Sequence, residues 1–272
     1  MGITRKQFLK YGAFTIASGV LIDAFWVEKY FIAIKTFYVG DANKDNINIK
    51  ILQISDLHIQ KLSGALITLA AKINKLQPDI IAFTGDAIDK ADNLKILESF
   101  LALLNVNIQK VAILGNWEYW GKVNINLLKE LYAKYNGKLL INESILFTIN
   151  NQTITISGVD DYLGGSPNIL KTIENINESN YHIILNHCLA YTDVTRTLLP
   201  KKNNVNFILS GHTHGGQVNF FGWAPMLPLG SNNYVSGWYK NALPHMYVSK
   251  GIGTSVLPIR FGSRAEVALF NL

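Results

Sequence analysis

Five short apolar runs of this chain each end in a cluster of polar residues, and this pattern constrains the fold more than any other. The runs are four to eight residues long and rich in isoleucine and leucine, so we predict that they are β-strands. Stretches with helical spacing of apolar residues separate the first three runs. This alternation indicates βαβ units and a layered α/β fold. The predicted strands are residues 47–54, 79–84, 110–114, 181–185 and 206–209.

The segments between and after these strands complete the predicted fold. Residues 138–157 form two or three strands in succession without a helix, so the sheet is expected to become mixed there. The polar residues 41–48 are expected to lead into the globular domain. We predict helices at residues 62–76, 93–104, 127–135 and 169–176, and closing strands at 246–249 and 265–270.

The polar clusters bring chemically reactive side chains to the strand ends. In chain order they contain Asp56 and His58, then Asp86, Asn116 and His187, and finally His212 and His214. Because ligands bind at the carboxyl ends of strands in open α/β sheets, we expect these residues to meet at one edge. An Asp or Asn after a strand often caps the next helix, and this alternative suits Asp89 or Asn116 taken singly. Helix capping does not explain five such clusters, which together hold four of the six histidines.

The ligand types indicate which metals would suit such an edge. Residues 210–217 read Ser-Gly-His-Thr-His-Gly-Gly-Gln, and the two histidines one residue apart are candidate metal ligands. The alternative is a polar loop in which both histidines are hydrogen-bonded within the protein. The set combines imidazole and oxygen ligands, and the only cysteine is Cys188. This favours Mn, Fe, Zn or Ni over a structural zinc site. Seven ligating groups are too many for one ion and suit two.

In order and spacing, these motifs resemble those of the calcineurin-like metallophosphoesterases. The resemblance implies a four-layer αββα sandwich with two divalent ions, Mn²⁺, Fe²⁺ or Zn²⁺. It implies one ion on Asp56, His58, Asp86 and His214, and a second on Asn116, His187 and His212, with Asp86 as the bridge. The matching motifs cover about residues 50–215 and are Asp56-x-His58, Gly85-Asp86-x-x-Asp89, Gly115-Asn116-x-Glu118, His187 and Gly211-His212-x-His214.

The resemblance also implies a mechanism and a substrate pocket. A hydroxide that bridges the two ions would be the nucleophile, and the ions together with Asn116 would balance the phosphoryl charge. The implied catalytic set is Asp86, Asn116 and His187. For Asp161 a turn or helix cap is an equal alternative to a place in the pocket. The residues expected to contact substrate are Trp117, Glu118, Asp161, Gly216 and Gln217.

One position departs from the family pattern. The family usually has a histidine after Gly-Asn that is taken to protonate the leaving group, and this chain has Trp117. Either the leaving group needs no proton, or His182 or Glu118 donates one, or the protein binds without turnover. A packing role beside Tyr119 and Trp120 is the structural alternative for Trp117. The UDP-2,3-diacylglucosamine pyrophosphatases, which are similar to this family, also replace that histidine, so we favour a phosphodiester or pyrophosphate over a monoester.

The N-terminal 38 residues are predicted to be a signal or membrane-anchor segment, with the metallophosphoesterase domain at residues 39–272. Basic residues at positions 5, 6 and 10 precede an apolar run, as in a secretory signal. Thr4-Arg5-Lys6 resembles the twin-arginine export motif, with Lys6 in the place of the second arginine. An amphipathic helix packed on the domain is the alternative. Membrane association with export to the periplasmic face is favoured, while a lipid-precursor pyrophosphatase would act on the cytoplasmic face.

Charge and composition limit the expected partners. The net charge is +6 without a run of five or more like charges, so we predict no nucleic acid partner and expect anionic substrates or lipid headgroups. The apolar loop 220–229 is expected either to contact lipid or to fold back on the core. We predict a monomer at the membrane that hydrolyses a phosphodiester or pyrophosphate in a small or lipid-linked substrate. The alternatives are a broad nucleotide or glycerol phosphodiesterase and a non-catalytic metal-binding scaffold.

Overall fold

Two six-stranded β-sheets form the centre of the protein, and the computed structural model describes residues 4–40, 49–199 and 204–272. The strands are β1 (Ala33–Tyr38), β2 (Lys50–Ile54), β3 (Ile80–Thr84), β4 (Gln109–Ile113), β5 (Gly137–Leu139), β6 (Glu143–Ile149), β7 (Gln152–Gly158), β8 (Tyr181–Leu185), β9 (Phe207–Ser210), β10 (Gly237–Tyr239), β11 (His245–Val248) and β12 (Glu266–Asn271). The first sheet has the order β1-β12-β2-β3-β4-β5, and the second has the order β10-β11-β9-β8-β7-β6. Both sheets are mixed, with a parallel run β2-β3-β4-β5 in the first and β7-β8-β9-β11 in the second.

Helices cover the outer face of each sheet and complete the four layers. The helices of the described residues are α1 (Arg5–Ile22), α2 (Glu28–Tyr30), α3 (Gly64–Leu76), α4 (Leu94–Leu101), α5 (Asn116–Trp120), α6 (Ile125–Lys134), α7 (Ile169–Thr172) and α8 (Ala190–Leu198), and of these α1 is exposed and covers neither sheet. Successive strand residues point to opposite faces, so in β2 Leu52 and Ile54 pack under the helices while Ile51 packs between the sheets. Ile169 of α7 and Tyr191 of α8 cover the second sheet. The predicted αββα sandwich is confirmed.

Some of the observed elements were not predicted or were assigned to another part of the chain. β1 lies within the segment predicted as signal or anchor, yet all six of its residues pair in parallel with β12. Helix α8 was not predicted because it contains few apolar residues, and β10 was not predicted because it is only three residues long. The predicted lead into the domain, residues 41–48, lies outside the described residues. The domain boundary after residue 38 stays a prediction.

An exposed apolar helix leads into the first sheet. Helix α1 continues through a π-helical turn (Asp23–Val27) into α2, and this helical stretch from Arg5 to Tyr30 is long and apolar enough to cross a membrane by length and composition. Thr4 and Gln7 form a capping box at its start. The apolar side chains of α1 are exposed rather than packed on the domain. This geometry fits a signal or an anchor and disfavours the packed amphipathic helix.

His182 of β8 gives the fold a predictable dependence on pH. Its Nε2 lies 2.8 Å from Ser157 Oγ, and burial lowers its pKa from 6.5 to about 4. Only the unfolded chain therefore takes up this proton between these two values, so the contribution to stability is complete above pH 6.5 and is lost as the pH falls towards 4. Between pH 7 and pH 4.5, we expect His182→Gln to lose about 2 kcal/mol less free energy of unfolding than the wild type, measured by urea unfolding at the two pH values. Parallel pH profiles of the two proteins would contradict this.

Candidate metal centre

The polar clusters at the strand ends meet at one edge of the sandwich. β2, β3 and β4 run parallel in the first sheet, and β8 and β9 run parallel in the second. Gln53 joins the two sheets at this edge, because its Nε2 donates to Thr84 Oγ1 and to the Ser210 carbonyl at 2.9 Å each. The backbone N–H of His212 donates to Asp56 Oδ1 at 2.9 Å. Residues from both sheets therefore share one buried site.

Two groups of three side chains lie in this site. Within each group, one potential ligand atom per residue lies within 4.8 Å of the others, and all six residues are buried. In the first group, His58 Nε2 is 3.1 Å from His214 Nε2, and His214 Nε2 is 3.6 Å from Asp56 Oδ1. The groups are Asp56, His58 and His214, and Asp86, His187 and His212.

Asp86 lies between the two groups. Its Oδ2 is 3.2 Å from His187 Nε2 in the second group and 3.7 Å from His58 Nε2 in the first. Its Oδ1 accepts a hydrogen bond from the Trp117 backbone N–H at 2.9 Å, which orients the carboxylate. One carboxylate thus faces both groups, as a ligand shared by two metal ions must.

Hydrogen bonds orient three of the imidazole rings. His58 Nδ1 pairs with Asp89 Oδ1, and His187 Nδ1 donates to the Thr84 carbonyl at 2.8 Å. Both rings then present Nε2 to the site. His212 instead donates from Nε2 to the Leu229 carbonyl at 2.7 Å, which leaves its Nδ1 available. Histidines that bind metal usually donate the N–H of the other ring nitrogen to a carboxylate or a carbonyl in this way.

Unpartnered buried atoms test whether metal ions fit this site. Asn116 Oδ1 is buried without a hydrogen-bond partner, and His187 Nε2 has none in hydrogen-bond geometry although Asp86 Oδ2 lies 3.2 Å away. Buried polar atoms nearly always have a partner, so these two atoms indicate a ligand. The close approach of His58 Nε2 to His214 Nε2 also needs a proton or a cation between them. Imidazole, carboxylate and amide donors suit divalent first-row metals, and the residues therefore fit a dinuclear divalent centre.

The backbone around the site is held in an unfavourable conformation. A non-glycine residue in a sparsely populated backbone region costs about 1–3 kcal/mol and is found mostly at functional sites. Gly85 and Gly115 leave room for the neighbouring ligands, since a Cβ would come within 2.4 Å of His187 Nδ1 at the first and 2.2 Å of Asp86 Oδ1 at the second. The residues with positive φ are Asp56 (48°), His58 (41°), Asp86 (52°), His212 (77°) and His214 (53°).

Opposite charges in the site shift several pKa values. Burial lowers the pKa of His187, but the adjacent Asp86 carboxylate outweighs burial and raises this pKa well above its usual value. In turn, His187 and His58 lower the pKa of Asp86 against the effect of burial. Burial, His58 and Arg260 all lower the pKa of His214 well below its usual value. His214 is thus neutral, which is the form that binds metal.

Glu118 supports the two loops that carry Asp86 and Asn116. It is buried, and its two carboxylate oxygens accept four backbone N–H groups of residues 86, 87, 88 and 115 at 2.6–3.2 Å. Burial, followed by the charge of Asp86, raises the pKa of Glu118 to about 7 although these N–H groups favour the carboxylate. Its oxygens are therefore engaged with the backbone rather than directed at a substrate.

The other residues expected to contact substrate lie around the centre. Gly216 and Gln217 line an apolar cavity beside His214. Asp161 is buried, and its Oδ2 accepts two backbone N–H groups of the following turn at 2.7 and 2.8 Å. Its Oδ1 is buried without a hydrogen-bond partner. The turn-capping alternative for Asp161 is thus realised at one oxygen, and the second remains available.

Two supporting residues were not among the predicted site residues. Asp89 orients His58, and its only signal was its place at the end of the Gly85-Asp86-x-x-Asp89 motif. The buried Arg260 places Nη2 3.3 Å from His214 Nδ1, and burial lowers its pKa to about 10. The local sequence around Arg260 does not reveal a partner 46 residues away.

Comparison with known families agrees with this geometry. The model of the calcineurin-like phosphoesterase family matches residues 49–216, which contain both groups of the candidate centre. The chain belongs to this family. It is accordingly a metal-dependent phosphoric ester hydrolase.

Several relatives are similar over most of the chain. The Bacillus subtilis metallophosphoesterase YkuE is 29% identical over 99% of this chain and 98% of its own length. YkoQ of the same organism is 31% identical over 82% of this chain and 83% of its own length. A bovine transmembrane protein with a metallophosphoesterase domain is 28% identical over 81% of this chain and 52% of its own length.

Trp117 occupies the position where this family usually has a histidine. Its indole ring is half-buried, with its centroid 5.9 Å from the His58 ring and 5.7 Å from the Trp120 ring. The Trp120 contact agrees with the aromatic packing considered above, and the ring also borders the first metal group. An indole N–H donates hydrogen bonds but is not an acid, so Trp117 cannot protonate a leaving group.

Proposed function

We propose that this phosphoesterase hydrolyses a phosphodiester or pyrophosphate bond at a dinuclear centre. The observation that carries the proposal is the position of Asp86, whose Oδ2 faces both groups of potential ligands. When bound, two divalent ions polarise the phosphoryl group and lower the pKa of a water molecule. The first ion would be held by Asp56, His58 and His214 and the second by Asn116, His187 and His212, with Asp86 shared.

The residues near the centre support a leaving group that departs without a proton. Trp117 carries no acidic proton, and both oxygens of Glu118 are bonded to backbone N–H groups. His182 is bonded to Ser157, which bonds Ser144, and Ser144 donates to the Thr172 carbonyl of α7. None of the three is placed to protonate an alkoxide at the centre. Phosphate and phosphate monoester groups leave from pyrophosphates without such help, so these residues favour a pyrophosphate over an alkyl phosphodiester.

The exposed helix α1 supports work at a membrane surface. Arg5, Lys6 and Lys10 lie at its start, and the apolar side chains of the helix are exposed. Loops rich in Lys and Arg stay on the cytoplasmic side, so this charge bias would place the catalytic domain on the exported face. A lipid-linked phosphodiester or pyrophosphate is the substrate class that such a location would supply.

Comparison of an aryl diester with an aryl monoester tests the proposal. We expect the full chain with Mn²⁺ to hydrolyse bis(p-nitrophenyl) phosphate at least tenfold more efficiently, by kcat/KM, than p-nitrophenyl phosphate. Chelation of the metal should abolish turnover, and added Mn²⁺ should restore it. A preference for the monoester, or turnover that survives chelation, would refute the proposal.

Restoring a histidine at position 117 should change the leaving-group preference. Trp117→His is expected to raise hydrolysis of glycerol 2-phosphate, whose alkoxide needs a proton, by about 10-fold or more relative to the aryl diester, since general acids contribute about 10²–10⁴. The control is Trp120→His, because Trp120 lies on the same helix and is exposed. If the ratio of glycerol 2-phosphate hydrolysis to aryl diester hydrolysis is equal in both variants and the wild type, no proton donor was lost at this position.

A further inference from the structure

An apolar cavity of about 280 Å³ opens beside the metal centre. Its lining includes His214 of the first metal group and Gly216, together with the apolar Met226, Leu227, Val256 and Leu257. A molecule in this cavity therefore lies beside a residue of the candidate metal centre. An apolar cavity of about 150 Å³ holds a benzene ring, so this one has room for a hydrocarbon chain of several carbons.

Two polar side chains of the cavity wall are already engaged. Gln217 donates to the Leu257 carbonyl and accepts from the Ser255 N–H, and Thr213 donates to the Val235 carbonyl at 2.6 Å. A polar group that entered would lose water without gaining these partners, which is unfavourable. A hydrocarbon chain loses nothing by entering, because its transfer from water to an apolar site is favourable.

The cavity also adjoins the base of the candidate membrane span. The segment that follows Leu257 fastens this helix, since Pro258 accepts a hydrogen bond from Lys29 Nζ at 2.7 Å. The Arg260 N–H donates to the Ala24 carbonyl at 3.0 Å, and Glu28 accepts the N–H groups of residues 262 and 263. A helix anchored in a bilayer would hold the mouth of the cavity at the bilayer surface.

Large apolar side chains in and beside the segments that line the cavity are exposed. Val256 is 82% exposed, Leu229 80%, Met226 69% and Trp223 65%, and Phe221 is fully exposed. Exposed apolar side chains of this kind mark contact with a membrane or another hydrophobic partner. Because the segment that follows the cavity wall fastens the candidate membrane span, a bilayer is the partner that we favour.

We propose that this cavity binds an acyl chain of a membrane lipid while the phosphate group of that lipid lies at the metal centre. The substrate class is then an acylated phosphodiester or pyrophosphate presented from the bilayer. This inference rests on the proposed function and adds to it the residues that select the substrate. Each methylene buried in the cavity would strengthen binding about fourfold until the cavity is filled.

A series of alkyl p-nitrophenyl phosphates from methyl to octyl tests this proposal. These esters share one reacting bond and one leaving group and differ only in the length of the alkyl group. For the full chain with Mn²⁺, held in an amphipathic polymer without free detergent, we expect kcat/KM to rise at least tenfold from methyl to octyl. Met226→Asp and Val256→Asp place a carboxylate in the cavity wall and should each reduce the octyl-to-methyl ratio to below threefold. Leu146→Asp, at an exposed apolar site on β6, should keep the wild-type ratio.

Calorimetry provides a readout that does not require turnover. Octylphosphonate should bind the Mn²⁺-loaded chain at least tenfold more tightly than methylphosphonate, with a negative heat capacity change that marks apolar burial. A flat chain-length series with equal phosphonate affinities would overturn the acyl-chain site. A rise of kcat/KM with alkyl length that persists in both aspartate variants would also overturn it, because the alkyl chain would then bind elsewhere. If no ester is hydrolysed, the proposed function fails, and the phosphonate affinities still decide whether the cavity binds acyl chains.

Discussion

We expect Asp86→Ala to lose at least ~1,000-fold in kcat for bis(p-nitrophenyl) phosphate, because metal ions contribute several kcal/mol to such reactions. In the described residues, Asp86 is the carboxylate whose oxygen faces both groups, at 3.2 Å from His187 Nε2 and 3.7 Å from His58 Nε2. Without it the second group retains only neutral donors, and the repulsion between the two ions is no longer balanced. The loss should therefore appear in metal content as well as in turnover.

One further variant separates the charge of Asp86 from its shape. Asp86→Asn keeps the size of the side chain and the possible bond to the Trp117 N–H, but it removes the negative charge. We expect it to bind less metal than the wild type, measured by mass spectrometry of the dialysed protein, and to lose nearly as much activity as Asp86→Ala. The control is Asp92→Asn, an exposed aspartate near the end of the same loop. Turnover of Asp86→Asn within tenfold of the wild type would rule out a shared carboxylate ligand.

Glu118→Ala should destabilise the protein by about 4 kcal/mol, since it leaves four backbone N–H groups without their acceptor and each buried unpaired donor costs about 1–3 kcal/mol. Because these N–H groups belong to the loops that carry Asp86 and Asn116, loss of the carboxylate should also loosen the centre. Activity should therefore fall even at temperatures where the variant remains folded. Urea unfolding monitored by fluorescence and a parallel diesterase assay measure the two effects.

The matched control for Glu118 is Glu130→Ala, which removes an exposed glutamate from helix α6. It should change the free energy of unfolding by less than about 0.5 kcal/mol. Glu118→Gln is expected to fall between the wild type and Glu118→Ala, because its amide retains one acceptor and turns a donor towards backbone donors. If Glu118→Ala were as stable as the control, water would have to replace the carboxylate at all four N–H groups.

Most secondary structure was predictable because its signals are local. Strand β8 was predicted with the bounds found, Tyr181–Leu185, and β4 within one residue, because each is a short apolar run that ends in polar residues. Helix α4 ends at Leu101 rather than 104, since a turn follows and apolar periodicity alone does not locate a helix end. Strand β1 was included in the N-terminal segment because its pairing partner β12 lies more than 200 residues further along the chain.

The sequence by itself determined the alternation of strands and helices and the identities of the residues at the strand ends, since both depend on neighbours within a few positions. The tertiary structure alone decided how those residues form two groups of metal ligands and which of them support the groups. It put Asp86 between the two groups, directed Glu118 to the backbone and placed Arg260 against His214. It also formed the apolar cavity from three separate segments, at residues 213–218, 225–228 and 255–257. Such contacts depend on the packing of two sheets against each other, and no local pattern encodes them.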